Sequence, residues 1–195
     1  MLDKYDKQFI IIGNTNALTY KTTFRMFKQD RIRTGYTHFN TGMFFLVPDS
    51  FEKYHHIEEG KKIARVSTSC WYTNLPVDKH KEPLILYKHY TPEEYPIYDN
   101  YNAIEVSTYT NIPCDYDGEI GVPITFLDKY NPEQFEIIGS FNASSLESKK
   151  EDDYVLSTDT LIVSKGKESY WNGPVVNKCP LYKRIVIKKR NNHGD

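Results

Sequence analysis

The sequence predicts a strand-rich α/β chain, on three observations. Sixteen of its 195 residues are tyrosine and ten are phenylalanine, side chains that favour pleated, half-buried surfaces. The run Phe9-Ile10-Ile11-Ile12, closed by Gly13-Asn14 and followed by Tyr20, Phe24 and Phe27 at helical spacing, reads as strand, turn and helix. Beyond Ile32, short apolar runs alternate with turn residues, the pattern of short neighbouring strands.

At this length the chain fits a single domain, residues 1–195, with a real core. Its 25 basic and 26 acidic residues leave a formal net charge of −1, so there is no global nucleic-acid footprint and any DNA contact needs a local patch. Cys70, Cys114 and Cys179 are odd in number and widely spaced; no pair has metal-ligand spacing and no disulfide framework is implied. Neither an apolar signal core nor a stretch of membrane-spanning length occurs, so the expected setting is a reducing cytoplasm with no membrane partner.

Taken in order, the β-branched run at residues 9–12 suits a strand buried on both faces, as in the middle of a parallel sheet. Thr19 is placed to cap the helix that follows, with Tyr20, Phe24 and Phe27 along its buried face. These elements make half of a βαβ unit, and Met1 lies too close for the upstream half to precede them. IRTGY from Ile32, MFFLV from Met43, ARVSTSCWYTN from Ala64 and LILY from Leu84 are all strand-like. Asn40-Thr41-Gly42, Pro48-Asp49-Ser50, Glu59-Gly60 and Leu75-Pro76 separate them, connections short enough to favour antiparallel pairing. Thr91-Pro92-Glu93-Glu94 forms one helical turn stopped by Pro96, and residues 103–106 form a further strand.

The most tightly specified stretch is IPCDYDGEIGVPITFLDKYNPEQFEIIG, from Ile112 to Gly139. Ile112-Pro113 forces an extended entry, and Gly118 and Gly121 mark places for positive φ or a close approach. Pro123 suits the first turn of a short helix whose Ile124, Leu127 and Tyr130 share one face. Asn131-Pro132 ends that helix, and residues 135–138 form a short buried strand. After it, SFNASSLESKKEDD (residues 140–153) has almost nothing to bury and reads as a flexible polar insertion. Residues 160–163 and 182–187 form two last strands, and Lys188-Lys189-Arg190 an exposed basic tail.

Motifs of chemistry are scarce. There is no G-x-G-x-x-G, no phosphate loop and no nucleophile elbow. His55-His56 near Glu58 and Glu59 invites a metal reading, but adjacent histidines point apart on any regular element. Asp115, Asp117 and Glu119 around Gly118 could hold a cation or a proton, although an acidic turn between strands accounts for them as well. Trp71 and Tyr72 read as core.

IIGNTNALTYK, GYTHFNTGMFFLVPD, CWYTNLPVDKHKEPLILYKHY, EEYPIYDNYNAIEV, the central stretch and YKRIVIKK, in this order, resemble the EcoRI-type adenine-specific DNA methyltransferase family. The blocks cover most of residues 4–139 and return at 182–189; residues 140–153 and most of the sequence to Lys178 depart from the pattern. The resemblance implies methyl transfer from S-adenosylmethionine to the exocyclic amine of adenine in duplex DNA, on a Rossmann-like sheet carrying additional antiparallel strands. In the family a glycine-containing turn after the first strand holds the cofactor, and an NPPF motif after the fourth holds the flipped base.

Neither the glycine turn nor NPPF occurs in this chain, so it carries no catalytic residue of the family. LDKYDKQF resembles the end of the helix that follows NPPF, which places the chain as the family's C-terminal portion. It is expected to be inactive alone and not to bind S-adenosylmethionine by itself. Two explanations stand: a separate N-terminal methyltransferase polypeptide supplies the catalytic half, or the chain persists as a stand-alone DNA- or protein-binding remnant. In the first case Asn14 and Asn16 lie at the carboxyl end of the sheet, where ligands gather, as hydrogen-bonding candidates for the displaced base or its backbone. Tyr20 and Tyr36 are stacking candidates, and Asp117, Gly118 and Gly121 are the alternative contact region.

Overall fold

The computed structural model describes residues 5–39, 41–141, 156, 160–164, 167–171 and 173–190. The chain divides into two units, Met1–Lys79 and His80–Asp195. It is strand-rich α/β, with one α-helix and several small sheets among the described residues.

The first unit begins with β1 (Ile10–Asn14), a 3-10 turn (Thr15–Thr19) and α1 (Lys21–Lys28). There follow β2 (Arg33–Thr34), β3 (Met43–Val47), β4 (His56–Glu58), β5 (Lys61–Val66) and β6 (Ser69–Thr73). They form two three-stranded antiparallel sheets, β1-β6-β2 and β3-β5-β4. Leu18, Phe24 and Phe27 are buried, and the Phe27 ring stands edge-on to Tyr72 of β6 at 6.3 Å. Gly13 leaves the space that the Tyr72 ring fills: a Cβ there would meet the ring at 2.9 Å.

Three sequence expectations are corrected here. β1 is not buried in the middle of a parallel sheet. It pairs antiparallel with β6 on one side only, and Ile10, Ile11 and Ile12 are 63, 42 and 45% exposed. Tyr20, not Thr19, is the helix N-cap, and its ring is exposed rather than packed with Phe24; Thr19 instead donates its hydroxyl to Asn16 O at 2.8 Å. The run from Ala64 to Asn74 is two strands, not one. A turn at Ser67-Thr68, closed by the Ser69 hydroxyl on Val66 O (2.8 Å), sends its halves into different sheets.

The second unit contains β7 (Ile104–Glu105), β8 (Ile120–Pro123), a 3-10 helix (Ile124–Asp128) and β9 (Phe135–Ser140). It continues with β10 (Thr160–Ser164), β11 (Lys167–Trp171), β12 (Val175–Val176), β13 (Cys179–Pro180) and β14 (Arg184–Lys189). The main sheet has the order β7-β8-β14-β9, with β7 parallel to β8 and the other pairs antiparallel. β10-β11 and β12-β13 are separate antiparallel pairs.

The central stretch folds as its residues specify. Pro123 precedes the short helix, and Ile124, Leu127 and Tyr130 are all buried. Asn131 closes the turn through its side chain, accepting from Glu133 N at 2.8 Å and donating to Lys81 O at 3.1 Å. β8 and β9 then flank β14 on its two sides, so the helix is a link across a strand that arrives much later in the sequence.

LILY is not a strand. The Gln134 side chain grips Leu84 instead, accepting from its N–H at 2.7 Å and donating to its carbonyl at 2.8 Å. An amide side chain thus replaces a strand partner, and Ile85 and Tyr87 stay exposed. Nor do Lys188, Lys189 and Arg190 form a solvated tail. The first two belong to β14, Lys189 Nζ donates to Cys114 O, and Arg190 Nε donates to Pro132 O at 2.7 Å. Ser140 ends β9 and Phe141 is buried; the rest of the polar insertion, residues 142–153, lies outside the described residues.

Glu105, Gly121, Pro123, Arg184 and Val186 share one face of the main sheet, because directly paired and next-but-one residues face the same way. On it, Arg184 Nε and Nη2 donate to both Glu105 oxygens at 2.8–3.1 Å, and the buried Tyr98 hydroxyl donates to the same carboxylate. Side-chain exposure of the pair is 12 and 9%. Removing one partner of such a pair leaves a buried charge and costs about 3–5 kcal/mol. Arg184→Ala is therefore expected to lower the unfolding free energy of the full chain, read from a urea titration, by that amount. The double change Arg184→Met with Glu105→Leu is expected to recover most of it; equal losses for single and double variants would refute the assignment.

Candidate functional site

In the first unit the contact candidates lie at the two ends of one strand pair. Asn14 ends β1 and caps the 3-10 turn with extended geometry (φ −75°, ψ 138°), its Oδ1 accepting from Asn16 N at 2.8 Å. The Tyr72 hydroxyl donates to Asn14 O at 3.0 Å, and burial, then the Cys70 thiol beside it, hold that phenol well above its ordinary pKa. The Asn14 side chain thus spends its carbonyl on the turn, and Asn14, Asn16 and the Tyr20 ring remain at the surface.

Tyr36 is elsewhere. It is 84% exposed and lies with Ile10, Trp71, Thr73, Leu75 and Pro76 on a cavity of about 460 Å3. Gly35 lets the chain pass against the Trp71 side chain, donating its N–H to Trp71 O at 2.7 Å. In the β1–β6 register Ile10 opposes Thr73 and Asn14 opposes Ser69, so the cavity and the asparagine turn are about 13 Å apart along the strand at roughly 3.3 Å per residue. Trp71, read from the sequence as core, is half-buried and forms the aromatic wall of this cavity. Its alternation within β6 was the available signal, since its buried neighbours Cys70 and Tyr72 face the other way.

His55 and His56 do not point apart. His55 sits in a bend before β4, not on a regular strand, and the two Nδ1 atoms approach to 2.9 Å, both rings edge-on to Phe44.

In the second unit neither Gly118 nor Gly121 has positive φ; among the described residues the glycines that do are Gly42 and Gly60, at +72° and +77°. Both central glycines instead admit an aromatic ring: a Cβ on Gly118 would meet the Tyr116 ring, and one on Gly121 the ring and hydroxyl of Tyr98. Gly121 is buried inside the main sheet. The three acidic residues diverge. Asp115 accepts from Tyr90 N (2.8 Å) and contacts His89 (2.9 Å), Asp117 is 3.7 Å from Lys189 Nζ, and Glu119 accepts from the Tyr101 hydroxyl at 2.6 Å. The Tyr90 N–H, then His89, hold the Asp115 carboxyl below its ordinary pKa. Burial, then the bond to Glu119, push the Tyr101 phenol up. Asp115, Asp117 and Glu119 therefore do not form one cation site together.

Among the described residues no helix is long and apolar enough to cross a membrane.

The family described as "Adenine-specific methyltransferase EcoRI" matches residues 1–190. The chain belongs to this methyltransferase family. It is 44% identical over 144 residues to Type II methyltransferase M.EcoRI of Escherichia coli, which covers 70% of this chain and 44% of that protein. Type II methyltransferase M.MpnI of Mycoplasma pneumoniae is 32% identical over 98% of this chain and 60% of its own length. M.MgeORF184P of Mycoplasma genitalium, also a type II methyltransferase, is 31% identical over 97% and 59%. The chain thus spans about half the length of these relatives. No solved structure matches it.

The two glycines are separable by substitution. Gly121→Ala forces the buried Tyr98 ring off Glu105 and is expected to cost about 1–3 kcal/mol of stability as an overpacked core position. Gly118→Ala displaces only the Tyr116 ring and is expected to stay within about 0.5 kcal/mol. Denaturant titration of both variants checks this; an equal cost would undo the distinction.

Proposed function

We propose that this chain is the C-terminal part of an adenine-specific DNA methyltransferase of the restriction-modification kind, working in the cytoplasm on duplex DNA. Alone it transfers no methyl group. The complete enzyme binds S-adenosylmethionine through the half that carries the glycine turn and NPPF, and this chain completes the sheet and lends surface for the target strand. Besides the family match, the reading rests on β1: three isoleucines stand 42–63% exposed on a strand at the edge of its sheet. Fully burying one isoleucine is worth about 1.5–3 kcal/mol, so a partner that covers β1 gains several kcal/mol from this strand alone. A separate N-terminal polypeptide is the partner of that chemistry.

Within this reading Asn14 and Asn16 face the displaced nucleotide and Tyr20 and Tyr36 are the stacking candidates; Tyr36 and Trp71 both line the cavity of about 460 Å3, within the range of about 300–1,000 Å3 usual for small-molecule pockets. Asp117 is at the surface of the second unit, whereas Gly118 and Gly121 serve ring packing.

The test is transfer of labelled methyl from S-adenosylmethionine to duplex DNA. The pure chain is expected to give none, and addition of the upstream portion of a relative such as M.MpnI is expected to restore it. Turnover by the chain alone would overturn the proposal. A stable, active-free chain that ignores every upstream polypeptide yet binds DNA would favour a stand-alone binding remnant. In the reconstituted enzyme, Asn14→Ala with Asn16→Ala is expected to lower methylation about three- to tenfold, the value of one hydrogen bond at about 0.5–1.5 kcal/mol. Tyr36→Ala is expected to cost more, since base stacking is worth about 1–3 kcal/mol. Full activity in both variants would remove these residues from the contact surface.

A further inference from the structure

Two segments of the second unit that are far apart in sequence place three different donor atoms around one point. His89 Nδ1 lies 2.9 Å from Asp115 Oδ2 and 3.8 Å from Cys114 Sγ, and the three atoms all lie within 4.8 Å of one another. Nitrogen, thiolate sulfur and carboxylate oxygen are the donor types of zinc sites. Zinc–sulfur bonds of about 2.3 Å and zinc–nitrogen or zinc–oxygen bonds of about 2.0–2.2 Å set tetrahedral ligand atoms about 3.3–3.7 Å apart. The observed separations, from 2.9 Å to no more than 4.8 Å, bracket those values.

Two features argue that the cluster is built rather than incidental. The backbone beneath it is pinned: Lys88 and Pro113 form a parallel bridge, Cys114 N donates to Lys88 O at 2.8 Å, and Lys189 Nζ donates to Cys114 O. The carboxylate is also oriented. Asp115 accepts from the Tyr90 N–H through Oδ1 at 2.8 Å, which turns Oδ2 towards the histidine as a single-oxygen donor, and the Tyr90 ring is itself held against the Tyr116 ring, their centroids 4.7 Å apart. Outer hydrogen bonds of this kind are what fix a ligand's direction in metal sites.

A cysteine, a histidine and an aspartate together also suggest a nucleophile with its base, and the geometry decides against it. In such a triad the thiol and the carboxylate engage opposite nitrogens of the ring, so that a proton passes across it. Here both approach Nδ1. Convergence on one nitrogen is useless for a relay and is what a shared ion requires.

We propose that His89, Cys114 and Asp115 bind a zinc-type divalent transition metal, with the fourth position open to water. Binding releases the Cys114 thiol proton to solvent and leaves the ion's charge partly neutralised by thiolate and carboxylate. Side-chain exposures of 74% for His89 and 47% for Asp115 give the ion a direct approach. The ion would staple the segment after Tyr87 to the central turn, and the site stands independently of the methyltransferase reading.

The experiment is titration of the full chain with cobalt(II) as a spectroscopic substitute for zinc. Expected are tetrahedral d–d bands and a thiolate-to-cobalt charge-transfer band that saturate at one ion per chain and vanish when zinc is added. Cys114→Ser is expected to abolish the charge-transfer band, and Cys179→Ser to leave it unchanged. His89→Gln and Asp115→Asn are each expected to weaken binding at least tenfold. A second measurement needs no variant: zinc should slow alkylation of Cys114, and not of Cys179, in the native chain. No charge-transfer band, a band that survives Cys114→Ser, or cobalt binding that disappears with His56→Ala would each overturn the proposal, as would Cys114 alkylation unaffected by zinc.

Discussion

The unit His80–Asp195 is organised by one buried ion pair. Arg184 opens the last strand, Glu105 lies on the first strand of the same sheet, and β8 runs between them. To meet, the two side chains must cross β8, and the residue of β8 paired with Glu105 is Gly121. A side chain there would occupy the crossing. The absence of a Cβ also admits the Tyr98 ring, whose hydroxyl donates to Glu105; burial, then the Glu105 charge, hold that phenol protonated far above its ordinary range. A buried pair is weak evidence of net stability, since hydrophobic replacements of both members are often tolerated. Its value here is registry: it fixes which residue of β14 lies against β8, with Ile185 and Ile187 on the opposite face in the apolar core.

That constraint explains why the central stretch does not close on itself. Its two strands could form a hairpin-like pair by sequence proximity alone. Instead β14 inserts between them, bonded to β8 through residues 184–187 and to β9 through 185–189 with an irregularity after Val186. The short helix Ile124–Asp128 then spans the inserted strand; its Phe126 and Leu127 are fully buried, and the Phe126 ring stands edge-on to Phe135. The same logic accounts for Gln134, whose amide supplies Leu84 with the pair of hydrogen bonds that a strand would have given. Buried or half-buried backbone groups need partners, but nothing requires that the partner be backbone.

The first unit shows the opposite situation. Its helix has a complete buried face through Phe24 and Phe27, whereas β1 shows its isoleucines to solvent. Apolar strand composition reports what a strand is suited to meet, not whether it meets it in this chain. The exposed isoleucines lie along the edge strand of the sheet that leads to the asparagine turn.

The sequence by itself determined what local chemistry can encode. Pro123, Asn131-Pro132, the Met43–Val47 strand and the buried trio Ile124, Leu127 and Tyr130 were legible because each follows from a fixed φ, an Asx turn or a period of burial over a few residues. The family was legible from six collinear blocks. What only the tertiary structure decided are the relations between distant segments. These include the antiparallel partner of β1, the separation of Tyr36 from Asn14, the service of Gly121 to Tyr98, and the meeting of His89 with Cys114 and Asp115 across 25–26 positions. No spacing rule reaches such pairs. A long-range contact is fixed by which strands hydrogen-bond and in what register, and that is settled by the summed burial and pairing of the whole sheet rather than by any residue in the pair.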